Sequence, residues 1–211
     1  MPLARDPRPA DPPSILLVGQ APSRNEHESF ALPDDPVPPI LLVGQAPGLR
    51  ATIEGVPFAG ISGAKLRQWF ALAGFSEADF WHLIYFSAVT KCYPGRLPGA
   101  KGDRVPTPAE QALCRPWMDA QLAVLDPPIV VLVGQLAIGT FLGKGPLHTF
   151  VGEGFARDGR RWLPLPHPSG VSTWLNDRDN QARVARAMTV LGDWMAELGI
   201  PVSGPRAPTR G

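Results

Sequence analysis

The chain has 211 residues, of which 44% are hydrophobic and 18% charged, and its formal net charge is +1. This length and composition predict one domain with a substantial core rather than two large ones. No apolar stretch approaches the ~18 residues of a membrane span, and two cysteines exclude a disulfide framework. The first residues, MPLARDPRPADPP, lack the apolar segment of a signal peptide, so we expect a cytoplasmic protein.

The ends of the chain differ in composition from its middle. The segment ILLVGQAP occurs at 15–22 and again at 40–47, and only the second copy is followed by turn signals and a helical pattern. We therefore predict a proline-rich, acidic N-terminal arm over 1–38, a domain over 39–200 and a flexible tail over 201–211. Residues 1–39 carry three arginines and six acids, a net charge of −3.

From residue 40 onward, strand and helix patterns alternate. Short, wholly apolar runs are typical of strands buried on both faces of a sheet. The predicted strands cover 40–43, 83–89, 129–133 and 162–165. The predicted helices cover 62–73, 108–125, 135–142 and 176–198. The alternation predicts a three-layer α/β/α sandwich around a central four-stranded, mostly parallel sheet.

Two predicted strands end in motifs that suit a binding site, because ligands of such sheets bind at the carboxyl ends of the strands. GQAPG at 44–48 follows the first strand, and its glycines allow the backbone to approach a ligand and present amides. PHPSG at 166–170 follows the fourth strand, and its two prolines make the backbone around His167 rigid. A lone histidine is more often structural than catalytic, but this position opposite a glycine loop favours a functional role.

Five motifs occur in a characteristic order: GQAPG, GVPFAGISGAKL, AVTKC at 88–92, VLVGQLA at 131–137, and PHPSG. They resemble the GEAPG, G-x-PFVG-x-AG-x-L, VVKC, ALGRTA and HPS motifs of the uracil-DNA glycosylase superfamily, closest to its bacterial family 4 and family 5 branches. The resemblance covers roughly residues 40 to 198. It implies a monofunctional repair enzyme that flips a damaged base, typically uracil, out of DNA and hydrolyses its bond to the sugar, leaving an abasic site.

The resemblance also implies a role for individual residues of the base pocket. The residues concerned are Gly44, Gln45, Ala46, Gly48, Phe58, Ser87 and His167. Backbone amides of the glycine loop would line the pocket, and Phe58 would stack on the flipped ring. His167 would hydrogen-bond a uracil carbonyl and stabilise charge on the departing base, so that catalysis rests on His167 and Gln45.

A second group of residues is expected at the DNA backbone. The expected contacts are Ser169, Gly170, Val171, Lys91 and Arg96. The first three would press on the strand and fill the gap that the base leaves. Trp174 and Leu175 are further wedge candidates, although packing of the final helix explains them equally well. Lys91 and Arg96 belong to a basic loop over 91–104 that would meet phosphates first.

The chain departs from the family pattern at positions expected to act in catalysis and in base recognition. Gln45 stands where family 4 has glutamate, and Ala46 where the classical uracil enzymes carry an aspartate that positions water. The nearest acid is Glu54, so the sequence shows no evident general base, and a dissociative mechanism that relies on Gln45 and His167 is expected. Ser87 falls near the base-reading asparagine of family 4 and cannot offer its paired donor and acceptor, which leaves the base specificity open.

Cys92 and Cys114 resemble two of the four ligands of the family 4 iron–sulfur cluster. The upstream pair of cysteines is absent from residues 1–39, and such a cluster needs four thiolates. We therefore expect no cluster, no other metal and no cofactor.

The expected partner is uracil-containing or abasic DNA, single- or double-stranded, with free uracil as the product, no membrane, and a monomeric protein associated with the bacterial nucleoid during repair. Two other classes stay open. One is a reader that holds uracil or abasic DNA without cleaving it, which the missing acids favour. The other is an α/β protein whose glycine loop binds a nucleotide phosphate, although GQAPG lacks the lysine of a P-loop.

Overall fold

The structure, a computed structural model, describes residues 37–100, 102–169 and 173–205. The first copy of the repeat, nearly all of the predicted N-terminal arm, and both Gly170 and Val171 lie outside the described residues. Within the described part of the chain, no helix is both long and apolar enough to cross a membrane.

The apolar runs of the sequence form one central sheet. Its strands are β1 (Ile40–Gly44), β2 (Ile84–Ala88), β3 (Ile129–Val133), β4 (Phe155–Arg157) and β5 (Arg160–Leu165). The order across the sheet is β2-β1-β3-β5-β4, and all neighbours are parallel except β4, which runs antiparallel to β5. All residues of β1 and β3 are buried, as their uninterrupted apolar sequences predict. The mostly parallel α/β sheet is confirmed.

The predicted number of four strands is wrong, because a short edge strand, β4, joins β5 in a hairpin. Asp158 and Gly159 connect the two strands and have φ values of 52° and 73°. Positive φ at both residues of a two-residue loop is the geometry that Asp-Gly sequences favour in hairpins. The Asp-Gly pair was therefore the sequence signal for this strand.

Helices cover both faces of the sheet. They are α1 (Leu49–Glu54), α2 (Ile61–Leu72), α3 (Glu77–His82), α4 (Pro108–Leu125), α5 (Gln135–Phe141) and α6 (Arg178–Glu197). Helices α2, α3 and α6 pack on one face, and α4 and α5 on the other, which gives the predicted three layers. The start of α4 follows the capping box in the sequence: the Thr107 side chain accepts the Glu110 amide, and Glu110 accepts the Thr107 amide. Helices α1 and α3 have six residues each, too few to show an apolar period.

The strand order determines where a ligand fits. The chain passes from β1 to β2 through α2 and α3 on one face, and from β2 to β3 through α4 on the other. The connection from β1 to β2 and the connection from β2 to β3 thus lie on opposite faces of the sheet, and β1 lies between β2 and β3. A crevice therefore opens at the carboxyl end of β1. This end carries GQAPG.

Part of the predicted flexible tail is attached to the domain. The Ser203 amide donates to the Asp79 carboxylate over 2.7 Å, and the Gly204 amide donates to the Gly74 carbonyl over 2.8 Å. These bonds extend the capping of α3, where Asp79 also accepts the Ser76 amide. The tail is therefore held against the end of α2 and the start of α3 at least through Gly204.

Candidate functional site: a cleft at the carboxyl ends of β1 and β5

A cleft of about 540 Å³ opens at the carboxyl ends of the strands. The expected site residues that line it are Gly44, Gln45, Ala46, Gly48, Phe58, Ser87, Arg96, His167 and Ser169. Sequence reasoning thus predicted part of the lining, and residues up to about 120 positions apart in the chain meet here. Lys91 is absent from the described lining.

The GQAPG loop is fixed by the strand beside it. The Val89 amide donates to the Gly44 carbonyl over 2.9 Å, and the Thr90 amide donates to the Gln45 carbonyl over 3.2 Å. The Gln45 side-chain amide donates to the Arg104 carbonyl over 3.4 Å, which links the loop to the 91–104 segment. The loop is therefore held from two sides by the protein itself.

Phe58 occupies a strained position that three neighbours determine. Its φ is 51°, in the left-handed region that bulky residues rarely adopt. A β-carbon on Gly63 of α2 would overlap the Phe58 carbonyl, and one on Gly44 would lie 3.4 Å from the edge of the Phe58 ring. The ring centroid is 6.1 Å from that of Phe86 on β2, at a tilt of 54°. Two glycines thus allow an aromatic ring to lie against the strand end as one wall of the cleft.

His167 has a defined tautomer. The Ser169 amide donates to His167 Nδ1 over 3.2 Å, so Nδ1 accepts and the ring proton lies on Nε2. His167 is exposed at the cleft, yet the surrounding protein removes part of its hydration and lowers its pKa, while the charge of Asp103 acts in the opposite direction. Gly134, with φ of 91°, leaves room for the imidazole: a β-carbon there would be 3.5 Å from His167 Cβ. The histidine is therefore held as a neutral Nε2–H donor.

Asp103 is an acid in the cleft that sequence reasoning missed. Its Oδ1 accepts from the Tyr93 hydroxyl over 3.0 Å and from Arg96 over 3.1 Å. Its Oδ2 lies 3.5 Å from the position of a β-carbon on Gly48. The sequence signal was available, because Asp103 is the single acid in the basic stretch 91–104, but it is 55 residues from the glycine loop. The cleft thus contains a carboxylate in addition to the expected histidine.

Ser87 and Lys91 belong to a polar network under the cleft. The Ser87 hydroxyl donates to Gln121 Oε1 over 2.7 Å. The Lys91 ammonium donates to Ser87 Oγ and Gln121 Oε1, each over 2.6 Å, and to the Ala88 carbonyl over 2.9 Å. Burial lowers the pKa of Lys91 to about 8, partly offset by the nearby Cys114 thiol. The expected contact of Lys91 with DNA phosphates does not fit this geometry. Ser87 lines the cleft, but its hydroxyl is hydrogen-bonded to Gln121 of α4.

The residues expected on the DNA side have distinct positions. Arg96 is exposed and paired with Asp103, and Ser169 lies at the mouth of the cleft. Trp174 and Leu175 form a 3-10 turn before α6 and pack against the hydrophobic core. Their carbonyls accept hydrogen bonds from Asn180 and Gln181 of α6. Packing of the final helix, one of the two explanations that the sequence left open, therefore accounts for both.

The two cysteines do not fit a four-thiolate cluster. Cys92 is exposed, and Cys114 accepts a hydrogen bond from the Lys91 amide over 3.4 Å. The sequence contains two cysteines in total, and among the residues that the structure describes no group of three His, Cys, Asp or Glu side chains is placed to hold a metal ion. No step of the chemistry is therefore assigned to an iron–sulfur centre.

A second groove of about 730 Å³ runs between α4 and α5. It shares Gln45 and Val105 with the cleft but contains neither Phe58 nor His167. Its lining is mostly apolar, with Arg115 and Lys144 as its charged members. The aromatic wall and the histidine donor identify the smaller cleft as the candidate active site.

Comparisons with known proteins show the family of this chain. The chain is similar to a protein named Type-4 uracil-DNA glycosylase from Thermotoga maritima, at 30% identity over 132 residues that cover 61% of this chain and 62% of that protein. It is also similar to a protein of the same name from Archaeoglobus fulgidus, at 33% identity over 123 residues that cover 58% of this chain and 44% of that protein. The matched part of the chain thus corresponds to less than two thirds of the length of either relative. A family model described as Uracil DNA glycosylase superfamily matches residues 32–191, which include both walls of the cleft. The chain therefore belongs to the uracil DNA glycosylase superfamily.

Proposed function

We propose that this protein is a monofunctional uracil-DNA glycosylase of base excision repair. It would hydrolyse the N-glycosidic bond of uracil, or of a related deaminated base, in flipped-out DNA and leave an abasic site. The observation that carries the proposal is the bond from the Ser169 amide to His167 Nδ1, which leaves a neutral Nε2–H donor in a cleft with an aromatic wall. The two relatives named Type-4 uracil-DNA glycosylase support the same activity.

Binding of the base follows from the shape of the cleft. The Phe58 ring offers a flat apolar face on which a pyrimidine stacks. The amides of Gly44, Gln45 and Ala46 at the end of β1 are proposed to contact the base edge, because ligands of parallel sheets bind at such ends. Ser87 would contribute through its backbone, since its hydroxyl is bonded to Gln121. Recognition would then rest on backbone groups more than on a dedicated side-chain amide.

Departure of the base would depend on His167. As the bond between the sugar C1′ and the base N1 breaks, its electron pair moves onto the base, and negative charge spreads to the carbonyl oxygens. A neutral Nε2–H donor stabilises that charge without first transferring a proton. The lowered pKa of His167 suits this role because the ring stays neutral at physiological pH.

Asp103 supplies the carboxylate that the glycine loop lacks. With Oδ1 occupied by Tyr93 and Arg96, Oδ2 remains to accept a proton from water. The water oxygen would form the new bond to C1′ as the base leaves, and its proton would pass to Asp103 and then to solvent. The reaction thereby has both an electrostatic stabiliser and a base in one cleft.

DNA is the proposed partner, held by Arg96 of the 91–104 loop and by the segment that follows His167. Arg96 is 46% exposed at the mouth of the cleft, where a phosphate would compete with Asp103 for it. The segment from Ser169 through Gly170 and Val171 directly follows His167 in the chain and is proposed to press on the strand.

The test is single-turnover cleavage of labelled uracil-containing oligonucleotides, single- and double-stranded, followed by alkali. We expect abasic sites with the native protein, and a rate lowered about 10²–10³-fold in His167→Ala. Asp103→Asn should also be slow, while Glu54→Gln should keep the native rate, because Glu54 is not part of the cleft lining, although its ion-pair partner Arg50 is.

The outcomes distinguish the alternatives. Tight binding of uracil-containing or abasic DNA without any product would identify a reader and overturn the catalytic proposal. Equal rates in Asp103→Asn and Glu54→Gln would remove Asp103 from the mechanism and leave His167 in it.

A further inference from the structure

Helix α4 carries an apolar stripe on its outer side. Leu113, Trp117 and Val124 are 76%, 69% and 82% exposed, and Ala120 between them is exposed as well. Their spacing of 4, 3 and 4 residues puts the four side chains on one face of the helix. The stripe is therefore continuous over about 16 Å of helix.

Among the described residues, no other part of the domain covers this stripe. The buried residue of α4 is Met118, which packs on the sheet together with the half-buried Leu122 and Leu125, away from the stripe. The stripe also lies outside both the cleft and the groove between α4 and α5. Apolar side chains in a row offer nothing to phosphates, so this face does not suit DNA.

The described chain begins at the same end of the domain as the C-terminal end of α4. The Pro39 carbonyl accepts the Ile129 amide over 3.3 Å, three residues after the C-cap of α4 at Asp126. Arg160 beside it donates to the Leu122 carbonyl over 3.3 Å. The segment before Val37 therefore starts at the end of the domain where α4 ends, and Val124 is the residue of the stripe nearest to that end of the helix.

The sequence before Val37 contains a segment with a matching chemistry. Residues 15–18 read Ile-Leu-Leu-Val, the same four residues that stand at 40–43 in β1, where each has no exposed surface. The 18 residues between Val18 and Val37 can span up to about 60 Å when extended, well beyond the length of the stripe. A run that is apolar enough to be wholly buried in the sheet thus lies within reach of an uncovered apolar face.

We propose that the apolar run at 15–18 docks on the outer stripe of α4 in the same molecule. The internal copy of the β1 sequence then serves as a cover for α4. The acidic stretch at 26–35 then belongs to the connection between the docked run and β1.

The experiment is hydroxyl-radical footprinting of the full chain, read residue by residue by mass spectrometry. Trp117 and Leu113 should be modified several-fold more slowly in the native chain than in the double variant Leu16→Asp/Leu17→Asp. Leu3→Asp, which changes an apolar residue of the arm outside the run, is the matched control and should keep the protection. Ile53, 73% exposed on α1, serves as an internal reference whose rate should be the same in all three proteins.

Two results would overturn the proposal. Equal modification of Trp117 in the native chain and the double variant would show that the run does not cover the stripe. Protection that disappears on dilution, together with a dimeric mass in light scattering, would assign the stripe to a second copy of the chain. Circular dichroism of the double variant checks that its fold is native, because residues 15–18 lie outside the described core.

Discussion

At the scale of single residues, one backbone amide determines which nitrogen of the candidate catalytic histidine carries the proton. The Ser169 N–H donates to Nδ1, and this excludes the tautomer in which Nδ1 is protonated. The Ser169 hydroxyl has no part in this bond. The chemistry at His167 therefore depends on the presence of an amide hydrogen at position 169 more than on the side chain there.

Ser169→Pro and Ser169→Ala separate these contributions. Proline lacks the amide hydrogen, so we expect the single-turnover rate to fall about 10-fold or more, whereas alanine keeps the amide and should keep most of the rate. Nitrogen chemical shifts of the imidazole, measured by NMR, should show the loss of a single tautomer only in the proline variant. Equal rates in the two variants would contradict the role of this bond.

The residue scale also shows what the sequence could predict of the site. Gly44 and His167 were predicted because each stands in a motif next to a predicted strand, and Phe58 because its motif resembles one of the family. Asp103 was missed because its position depends on the fold of a loop that no periodic pattern describes. Lys91 was predicted as a surface cation because its charge is visible in the sequence, while its burial against Gln121 of α4 is a tertiary contact.

At the scale of elements, the wall formed by Phe58 depends on the start of α2. A β-carbon on Gly63 would overlap a backbone carbonyl, which cannot turn aside as a side chain can. The left-handed conformation of Phe58 and the first turn of α2 are therefore one structural unit.

Gly63→Ala should destabilise the protein by roughly 1–3 kcal/mol, because the added methyl group must displace the Phe58 backbone. The matched control is Gly139→Ala in α5, where a β-carbon meets nothing within 4 Å and should add roughly 0.5–1 kcal/mol of stability. Urea unfolding gives both free energies. A Gly63→Ala protein as stable as the native one would show that the backbone around Phe58 can shift relative to α2 without cost.

Among the elements, length and periodicity decided which could be predicted. The four parallel strands and helices α2, α4, α5 and α6 were predicted within a few residues, because buried apolar runs and a 3.6-residue period are local signals. Helices α1 and α3 and strand β4 are six residues or shorter, and contacts with the rest of the domain maintain them. Parallel pairing could be predicted from the alternation of strands and helices along the chain. The strand order could not, since it depends on contacts between distant segments.

At the scale of the whole molecule, a buried ammonium joins the edge strand of the sheet to α4. Lys91 donates to Ser87 and Ala88 at the end of β2 and to Gln121 on α4. Burial lowers its pKa from 10.5 to about 8, so the folded protein releases this proton at a lower pH than the unfolded chain. From about pH 8 to about 10.5 the unfolded chain binds more protons, and the contribution of Lys91 to the unfolding free energy rises with pH.

Lys91→Met removes this titration. We expect the unfolding free energy of the native protein, relative to that of the variant, to rise between about pH 8 and about pH 10, by at most about 1.4 kcal/mol per pH unit. Urea unfolding of both proteins at the two pH values measures the difference. A difference that does not change with pH would mean that Lys91 keeps its ordinary pKa in the folded protein.

The strand order β2-β1-β3-β5-β4 has a consequence for synthesis on the ribosome. β1 and Phe58 emerge early, but His167 follows β5, which must pair with β3 before the histidine reaches the cleft. A nascent chain that ends before residue 160 would contain the glycine loop and Phe58 but not His167, the residue that we propose stabilises the leaving base. Because such non-local pairings form late in folding, competence for the proposed base excision would arise only after nearly the whole domain has been made.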